Sequence, residues 1–370
     1  MMRIYRGKTL KFHVMETPSR LPASFLELRA EFQRQGFFEP KAPRVIGEFL
    51  FHIVVCLGGL VLVVQGSSLL VKAVGLIVST AGLLGISTNA HTSSHQATTS
   101  HRRVNKLLAL VGYPFFLQVS ESYWHHKHIV VHHPVPNVLD VDNDIDLAPW
   151  FAITEARYEA AGPLLKKWYD VQWVLFPLAI LVNGFGVQIK GWKFLIRKLL
   201  SSRERRTDHW FDLAAMLAHI ACWILLPMWV WGAGPALSLY VIRIMLMGYA
   251  MFIAFAPAHY PEEAACVSAA NKDADFVLLQ CANTINFKTG PVGRLLCSGV
   301  DFQIEHHLFP TVSHVHYPRM SPRLREFCVR MGYPYRVLPW WLAVWKSLSI
   351  MRVRKRVLSD VHDLRSGVQA

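Results

Sequence analysis

Long apolar runs divide the chain into two pairs of segments. The first pair covers residues 49–64 and 69–90, in which only Lys72 is charged, and the second pair covers residues 213–231 and 236–258. About 20 apolar residues in a helix are needed to span the roughly 30 Å hydrocarbon core of a bilayer. The turns within the pairs are short. The pattern therefore predicts four transmembrane helices arranged as two hairpins.

The distribution of Lys and Arg predicts how these hairpins are oriented. The first 45 residues hold nine Lys or Arg, and residues 190–206 hold seven more, whereas the turns at 65–68 and 232–235 hold none. Positive charge is retained on the cytoplasmic side of a membrane. We therefore expect both termini and the central segment in the cytoplasm, and both tight turns on the opposite side.

Two further apolar stretches, 107–119 and 171–187, are predicted to be interfacial helices. The first is too short to cross, and the second is interrupted by Pro177, Asn183 and two glycines. A crossing by the second would also export the basic segment that follows it. The Trp-rich stretch at 340–345, followed by basic residues, is typical of another interfacial anchor.

These elements together predict an all-α integral membrane protein, in which four transmembrane helices and several interfacial helices lie under a cytosolic helical cap that holds a di-metal site. The predicted order is a cytosolic N-terminal segment (1–45), a first transmembrane hairpin (46–90), a cytosolic and interfacial segment (91–210), a second hairpin (211–258), and a cytosolic cap with a basic tail (259–370).

Composition agrees with a membrane protein. Of 370 residues, 52% are hydrophobic and only 17% are charged, with a mean hydropathy of +0.26. The net charge of +14 accompanies apolar runs instead of forming aromatic-interleaved stripes, which favours anionic membrane lipid as a partner and argues against nucleic acid. Six cysteines without C-x-x-C spacing indicate neither a disulfide framework nor a zinc knuckle. No signal-peptide core precedes the first membrane segment.

Histidine is concentrated in a way that composition does not explain. Eight of the 18 histidines fall within residues 91–133, where even spreading would place about two. His91 and His95 are four residues apart, so they share one helix face just beyond the second membrane segment. His128 and His132 repeat this spacing, with His133 as a splayed neighbour.

A second histidine pair lies near residue 306. His306 and His307 point about 100° apart on a helix, so they can offer one imidazole to each of two ions. Gln303 lies one turn earlier and shares their face. Imidazole without thiolate suits Fe, Zn, Cu or Ni, and seven imidazoles exceed what one tetrahedral ion uses, so two metals are indicated.

Carboxylates are expected to hydrogen-bond the outer nitrogens of such imidazoles. The candidates are Glu305, Asp301, Glu121 and the Asp run at 140–146. That run resembles a calcium loop, but Ile145 occupies the position that needs Gly. Two histidines within membrane segments are expected to find interhelical partners, and the role of Arg243 stays open.

The three histidine clusters resemble the three histidine boxes of the membrane fatty acid desaturase family. Trp124, Asn137, the Leu-Phe-Pro at 308–310 and Tyr317-Pro318 extend the similarity, which covers roughly residues 45–340. Gln303 as the first member of the third box is characteristic of the front-end subgroup, whose members desaturate between an existing double bond and the carboxyl end.

The resemblance implies a non-haem di-iron centre that uses O2 as co-substrate to remove two hydrogens from adjacent methylenes of a fatty acyl chain. It also implies that His259, directly after the fourth membrane segment, is a further ligand. The expected iron ligands are His91, His95, His128, His132, His133, His259, His306 and His307. Gln303, Glu305 and Asp301 are expected to act around them or through water, since an amide is a weak iron ligand.

Two departures from the family pattern affect the expected partners. Thr92 stands where many relatives carry Asp, and no His-Pro-Gly-Gly haem motif is present. A separate electron carrier of the ferredoxin, rubredoxin or cytochrome b5 type is therefore expected. Together with the short basic N-terminus, this favours a bacterial inner membrane over the endoplasmic reticulum. The acyl carrier of the substrate, whether lipid, CoA or a carrier protein, stays open.

Other activities use the same kind of site. Within the family, the iron constellation also supports acyl hydroxylation, acetylenic-bond formation or terminal-alkene formation. In another functional class, a membrane metal transporter should carry His and Asp along a mid-membrane pore. Only His52 and His219 lie within the membrane segments, which is too few for such a pore.

Overall fold

The computed structural model describes residues 21–272, 274–359 and 363–364. Five of the nine N-terminal basic residues and the end of the basic tail lie outside them. The described chain is mostly helical, as predicted, with four short strands. In its first half the helices are α1 Ala23–Arg34, α2 Ala42–Gln65, α3 Leu69–Ser94, α4 Arg102–Leu110, a π-helix Val111–Leu117, α5 Glu121–Trp124, a second π-helix His125–His132, α6 Glu155–Glu159 and α7 Pro163–Leu200.

The second half contains the remaining elements. Its helices are α8 Thr207–His219, a π-helix Ile220–Leu225, α9 Leu226–Trp231, α10 Ala233–Phe255, α11 Phe276–Asn283, α12 Gly290–Cys297, α13 Gln303–Leu308, α14 Tyr317–Met331 and α15 Trp340–Ser349. The strands are β1 Cys266–Val267, β2 Asn286–Lys288, β3 Val337–Pro339 and β4 Val357–Leu358; β1 pairs with β4 and β2 with β3, both in parallel.

Five helical stretches in the described chain are long and apolar enough to cross a membrane. They are Ala42–Gln65, Leu69–Ser94, Pro163–Leu200, Thr207–Trp231 and Ala233–Ala258. Four of them correspond to the predicted hairpins. The additional one, α7, contains the stretch that was assigned to the membrane interface, so the count of four crossings stays a prediction.

The first hairpin is held together by close backbone contact. A Cβ added at Gly59 would lie 2.3 Å from the backbone N of Ser79, and one at Gly82 would lie 2.3 Å from the backbone N of Cys56. Small residues at such crossings let two membrane helices approach closely. Ser68 caps the start of α3, because its Oγ accepts a hydrogen bond from the N–H of Val71 at 3.3 Å.

The expected break near Pro177 is absent, since α7 is one continuous helix of 38 residues. A proline removes one helical N–H and leaves a carbonyl without its donor. That carbonyl belongs to Trp173, four residues earlier. At the proline itself, the hydroxyl of Tyr249 on α10 donates to the carbonyl O of Pro177 at 2.8 Å and so ties α7 to α10. The two helices run antiparallel, and Gly248 of α10 faces the carbonyl O of Ile180 where a Cβ would lie at 2.2 Å.

The cap is attached to the ends of the membrane helices. Thr88 on α3 donates a hydrogen bond to the carbonyl O of Leu296 at 2.7 Å, and Asn89 donates to Ser298 Oγ at 2.8 Å. The Nε1 of Trp340 on α15 donates to the carbonyl O of Ile253 near the end of α10 at 2.7 Å. These contacts fix the cap over the ends of α3 and α10, where the histidines begin.

Candidate metal centre

The structure brings all eight predicted ligand histidines together. They form two groups, in each of which the ligand atoms lie within 4.8 Å of one another, and every member is buried. We call these groups the first and the second histidine group. The first contains His91, His95, His128, His133 and His306, and the second contains His132, His259 and His307.

The second π-helix decides how the middle cluster is divided. The N–H of His133 bonds the carbonyl O of His128 at 2.9 Å, an i→i+5 bond typical of a π turn. The Nε2 atoms of these two residues consequently lie 3.1 Å apart. His132, which was paired with His128 from its four-residue spacing, belongs instead to the second group.

Imidazole nitrogens face one another within the first group. The Nε2 atoms of His91 and His128 are 2.7 Å apart, and those of His133 and His306 are 3.0 Å apart. His95 Nε2 is buried and has no hydrogen-bond partner among the described residues. One proton satisfies only one such pair, whereas a cation at their centre accepts a lone pair from each nitrogen. The residues therefore fit a metal ion.

Gln303 completes the second group. Its Nε2 atom lies 2.9 Å from His259 Nε2 and 3.4 Å from His307 Nε2, while its Oε1 is buried without a partner in the described chain. The assignment of amide O and N follows from the hydrogen-bond network. Exchanging the two atoms would direct the oxygen at both imidazoles, as an oxygen donor to a cation requires.

One carboxylate of the Asp run supports the second group directly. His132 Nδ1 lies 2.8 Å from Asp142 Oδ2, which also accepts a hydrogen bond from the N–H of Asn137 at 2.9 Å. Burial raises the pKa of Asp142, but His132 and the Asn137 N–H outweigh it and hold the pKa below its usual value. Asp142 therefore keeps His132 oriented with its Nε2 toward the other imidazoles.

The neighbours of Asp142 in this run have other partners. Asp140 and Asp146 bind Arg157, and Asp144 binds Lys127. Asp144 Oδ2 also lies 3.7 Å from His132 Nδ1, farther than Asp142 Oδ2 at 2.8 Å. The hydrogen bond to His132 thus comes from Asp142, and the ion pairs of the other three carboxylates stabilise the loop that holds Asp142.

Glu305 and Asp301 contact no imidazole in the part of the chain that the structure describes. Glu305 accepts hydrogen bonds from Ser321 and Tyr335 at 2.5 Å and from Asn286 at 2.7 Å. It thus anchors α13 to the cap, and burial raises its pKa. The expectation that it orients an imidazole is wrong in this structure.

Asp301 is also buried, and it lies two residues before α13 begins at Gln303. Its Oδ2 accepts a hydrogen bond from Thr289 at 3.1 Å, and burial raises its pKa to about 7. Glu121, a further candidate, forms an ion pair with Lys106. In the described residues, neither Asp301 nor Glu121 has a histidine among its hydrogen-bond partners.

Sequence reasoning missed three contributors to the site. Gln280 Oε1 accepts a hydrogen bond from His307 Nδ1 at 2.9 Å, which requires the Nδ1–H tautomer of that ring. Asn137 donates to the carbonyl O of His259 at 3.0 Å, and Lys355 Nζ donates to the same oxygen at 2.6 Å. Asn137 was noted only as part of the family similarity. No local pattern identifies the other two, because their partners lie far away in the sequence.

Three histidines outside the two groups have structural partners. His52 Nε2 bonds the carbonyl O of Leu295 at 3.1 Å, and His219 Nδ1 bonds that of Phe115 at 2.7 Å. His314 Nε2 lies 2.9 Å from Glu48 Oε2, and its Nδ1 lies 3.3 Å from Thr92 Oγ1. The carboxylate of Glu48 is thus linked to Thr92 through His314.

Comparison with known proteins agrees with these residues. A protein-family profile described as fatty acid desaturase matches residues 67–339. The chain is 26% identical over 370 residues to Delta(8)-fatty-acid desaturase 2 of Arabidopsis thaliana, covering 93% of this chain and 76% of that protein. It is 28% identical over 260 residues to Delta(6)-fatty-acid desaturase fat-3 of Caenorhabditis elegans, covering 67% and 56%. It is 26% identical over 259 residues to sn-1 linoleoyl-lipid 6-desaturase of Arthrospira platensis, covering 67% and 68%.

Proposed function

The chain belongs to the fatty acid desaturase family, and from this premise we propose that it is a di-iron enzyme that uses O2 to insert a cis double bond into a fatty acyl chain. The observation that carries the proposal is the convergence of eight buried histidines, from four separate parts of the chain, into two adjacent groups. The two hydrogens removed from the substrate, two electrons from a separate carrier and two protons from the solvent together reduce one O2 to two waters, so the reaction balances.

The first histidine group would hold one iron and the second group, with Gln303 beside it, would hold the other. When bound, iron supplies the activation of O2 and the oxidising power that the methylenes require. Asp142 and Gln280 fix the rings of His132 and His307 through their Nδ1 atoms. The protein thereby presents Nε2 lone pairs in a fixed geometry.

Aromatic rings exclude water from the first group. The ring centroid of Phe255 lies 5.7 Å from that of His91, and Trp124 stacks on His128 at 5.0 Å. These apolar faces border the histidines on the side of α3 and α10, the helices that lead into the membrane region. They suit the approach of unsubstituted methylene groups and disfavour a polar substrate.

We propose front-end regiochemistry, in which the enzyme acts on a chain that is already unsaturated and adds the new bond on its carboxyl side. Gln303 in the third box supports this, and so do relatives named as Delta(6)-, Delta(5)- and Delta(8)-desaturases. Expression in a host with a compatible electron carrier, fed linoleate or oleate, provides the test. Mass spectrometry of derivatised fatty acids should locate a new bond on the carboxyl side.

The products also separate the related chemistries. A desaturase product is two hydrogens lighter than its substrate, whereas a hydroxylase product is one oxygen heavier. New bonds only on the methyl side, or products only from saturated chains, would reject the front-end proposal and leave desaturation standing.

The metal assignment is tested by iron content and substitution. Purified protein should contain two irons per chain, and His132→Ala or His307→Ala should abolish turnover while leaving membrane insertion intact. His101→Ala is a matched control, because His101 is exposed and belongs to neither group. Full activity in either ligand variant would exclude the assignment.

We further propose that four helices cross the membrane, that α7 lies at its cytoplasmic interface, and that the site and both termini are cytoplasmic, in a bacterial inner membrane. In this arrangement the chain divides into the five segments expected from the sequence, with bounds 1–45, 46–90, 91–210, 211–258 and 259–370. A cysteine introduced at Ser67 or Ala233 should react with an impermeant thiol reagent in intact cells. Reaction at Lys190→Cys instead would mean that α7 crosses.

A further inference from the structure

A cavity of about 930 Å³ lies beside α13, between α12 and α14. None of its lining residues belongs to either histidine group. It nevertheless adjoins the site, because Asn286, Ser321 and Tyr335 both line the cavity and bind Glu305 of α13. Volumes of roughly 300–1,000 Å³ are typical of small-molecule sites.

The cavity is rich in cations. Four basic residues line it, compared with two acidic ones, Asp301 and Glu326. The basic residues are Lys288, Arg294, Arg325 and Arg330.

The acidic residues do not neutralise these cations. Glu326 is 3.5 Å from Arg323, which does not line the cavity, and Asp301 lies 3.9 Å from Arg294 with its side chain buried. In the described chain, Lys288, Arg325 and Arg330 have no ion-pair partner. The cavity therefore has positive charge available for an anionic ligand.

Apolar side chains form another part of the cavity wall, and they restrict the kind of anion that the cavity would bind. Phe287 and Phe302 line it from β2 and from the residue before α13, and Val329 and Val337 line it from α14 and β3. A free inorganic anion would gain nothing from these groups. A phosphate attached to an apolar moiety would use both the cations and the walls.

The position of α12 indicates where that ligand comes from. The carbonyl O of Leu295 contacts His52 on α2, and in the same part of α2 the side chains of Leu50, Phe51 and Val54 are 50–67% exposed. Such apolar exposure on a membrane-length helix is lipid-facing surface. Arg294, which lines the cavity, thus lies level with the start of that surface, where lipid phosphates are found.

We propose that this cavity binds the phosphate-bearing headgroup of a phospholipid that carries the acyl substrate. The proposal rests on the proposed function, and it assigns the acyl carrier to lipid. Phe302 in the cavity wall and His306 are four residues apart, about 6 Å along a helix axis. The cavity and the histidines thus lie at neighbouring positions on one helix, which is the proximity required if a bound headgroup is to present the carboxyl end of its acyl chain to the site.

The test is binding to the full-length purified protein in detergent, measured by calorimetry with the short-chain probe dihexanoyl phosphatidylglycerol. The variant Arg325→Glu/Arg330→Glu reverses the charge of two exposed side chains that line the cavity. It should lower the affinity for the probe about tenfold or more, and a tenfold change corresponds to about 1.4 kcal/mol. Arg203→Glu/Arg205→Glu is the matched control. It makes the same change in net charge at exposed positions between α7 and α8 and should leave the affinity within about twofold.

Two further probes identify the source of the phosphate. Dihexanoylglycerol, which lacks phosphate, should bind no differently to the cavity variant and to the control. Coenzyme A should not compete with the lipid probe. Competition that is lost in Arg325→Glu/Arg330→Glu would instead assign the cavity to a thioester carrier and overturn the lipid proposal, as would equal lipid binding by all variants.

The outcomes separate this proposal from the proposed function. Desaturation without cavity-dependent lipid binding refutes the headgroup site alone. Cavity-dependent binding in a protein that forms no double bond leaves the headgroup site standing and refutes the activity. If the double reversal lowers the iron content, Arg325→Gln/Arg330→Gln carries the same test with less disturbance.

Discussion

Replacing Lys355 with Met should weaken the second histidine group without unfolding the protein. Lys355 is only 4% exposed, and its Nζ donates to the carbonyl O of His259 at 2.6 Å and of Ala264 at 2.5 Å. Its backbone is held independently, since its N–H bonds the carbonyl O of Ile153 at 2.8 Å and its carbonyl O accepts from the N–H of Glu155 at 2.9 Å. The substitution therefore removes the ammonium group and leaves the segment in place.

The expected cost follows from what each carbonyl retains. The His259 oxygen keeps a hydrogen bond from Asn137 at 3.0 Å, whereas the Ala264 oxygen loses its side-chain donor. An unsatisfied buried carbonyl costs about 1–3 kcal/mol, and removal of a buried ammonium returns part of its desolvation penalty. We expect a net loss of about 1–2 kcal/mol, concentrated in the segment that carries His259. If this loss falls wholly on the iron-bound state, it lowers the affinity of the second group for iron about 5–30-fold.

The assay is iron retained per chain after equilibration with increasing chelator, together with the thermal unfolding midpoint. Lys355→Met should lose one iron at lower chelator concentration than the other, and Lys355→Gln, which retains a donor, should recover part of the difference. Arg356→Met is the control, since the neighbouring Arg356 side chain is 85% exposed. Unchanged retention of both irons in Lys355→Met would refute the reasoning, and so would parallel loss of both irons with a large fall in thermal stability.

Three other substitutions test separate parts of the structure. Burial raises the pKa of Asp301 from 3.8 to about 7, so the stability that its protonated form contributes below about pH 4 is lost as the pH rises through 7. Asp301→Asn should therefore raise the thermal unfolding midpoint at pH 8 but not at pH 4. The control Glu326→Gln should not show this difference between the two pH values. Gly59→Val should disrupt the first hairpin and reduce folded protein, measured by size-exclusion chromatography, whereas Gly58→Val should not, because a Cβ there has nothing within 4 Å. Asp142→Asn should weaken iron retention about 10–100-fold by removing the carboxylate that orients His132; equal retention would contradict that role.

The membrane helices could be predicted closely from the sequence. The apolar runs at 49–64 and 69–90 lie within Ala42–Gln65 and Leu69–Ser94. Lateral exposure to lipid selects apolar side chains on every turn, so composition alone locates such helices. The extent of α7 could not be predicted in the same way, because the contacts made by the helix at Pro177, among them the hydrogen bond from Tyr249, come from another helix that is distant in sequence.

The identity of the clustered histidines was also predictable, but their division was not. His91 and His95 share a face because α3 keeps its α-helical register up to them. The division of the middle cluster depends on the π turn between His128 and His133. A π turn is stabilised by its surroundings, so the four-residue spacing of His128 and His132 predicted the wrong pair.

The outer contacts of the site depend on residues that are distant in sequence. Glu305 precedes His306 directly, which suggested a supporting role, but adjacent residues on a helix point about 100° apart. Its carboxylate accordingly meets Tyr335 and Asn286. The carboxylate that does orient a ligand, Asp142, lies ten positions after His132, at a separation where neither periodicity nor spacing predicts contact.

Arg243 shows how polar groups within the membrane-length helices fix their packing. Its guanidinium is buried in α10 and lies 4.8 Å from the ring centroid of Trp223, while its Nε and Nη2 have no hydrogen-bond partner in the described chain. The sequence left open whether this side chain extends outward or turns inward, and the structure has it turned inward. A cation over an aromatic face is stabilised more strongly when both are shielded from water.

The same region contains a second polar contact, one turn of α10 earlier. Tyr240 donates to Gln118 Oε1 at 2.7 Å and lies 3.1 Å from His219 Nε2. Hydrogen bonds between membrane helices are individually modest, at about 0.6–2 kcal/mol, but they are directional, unlike apolar packing. His219 and Trp223 lie one turn apart on the same continuous helical stretch. The contacts of Tyr240 with His219 and of Arg243 with Trp223 therefore fix the rotation of α10 about its axis relative to that stretch. That rotation determines the direction in which the chain leaves α10, and therefore where His259 meets the other histidines.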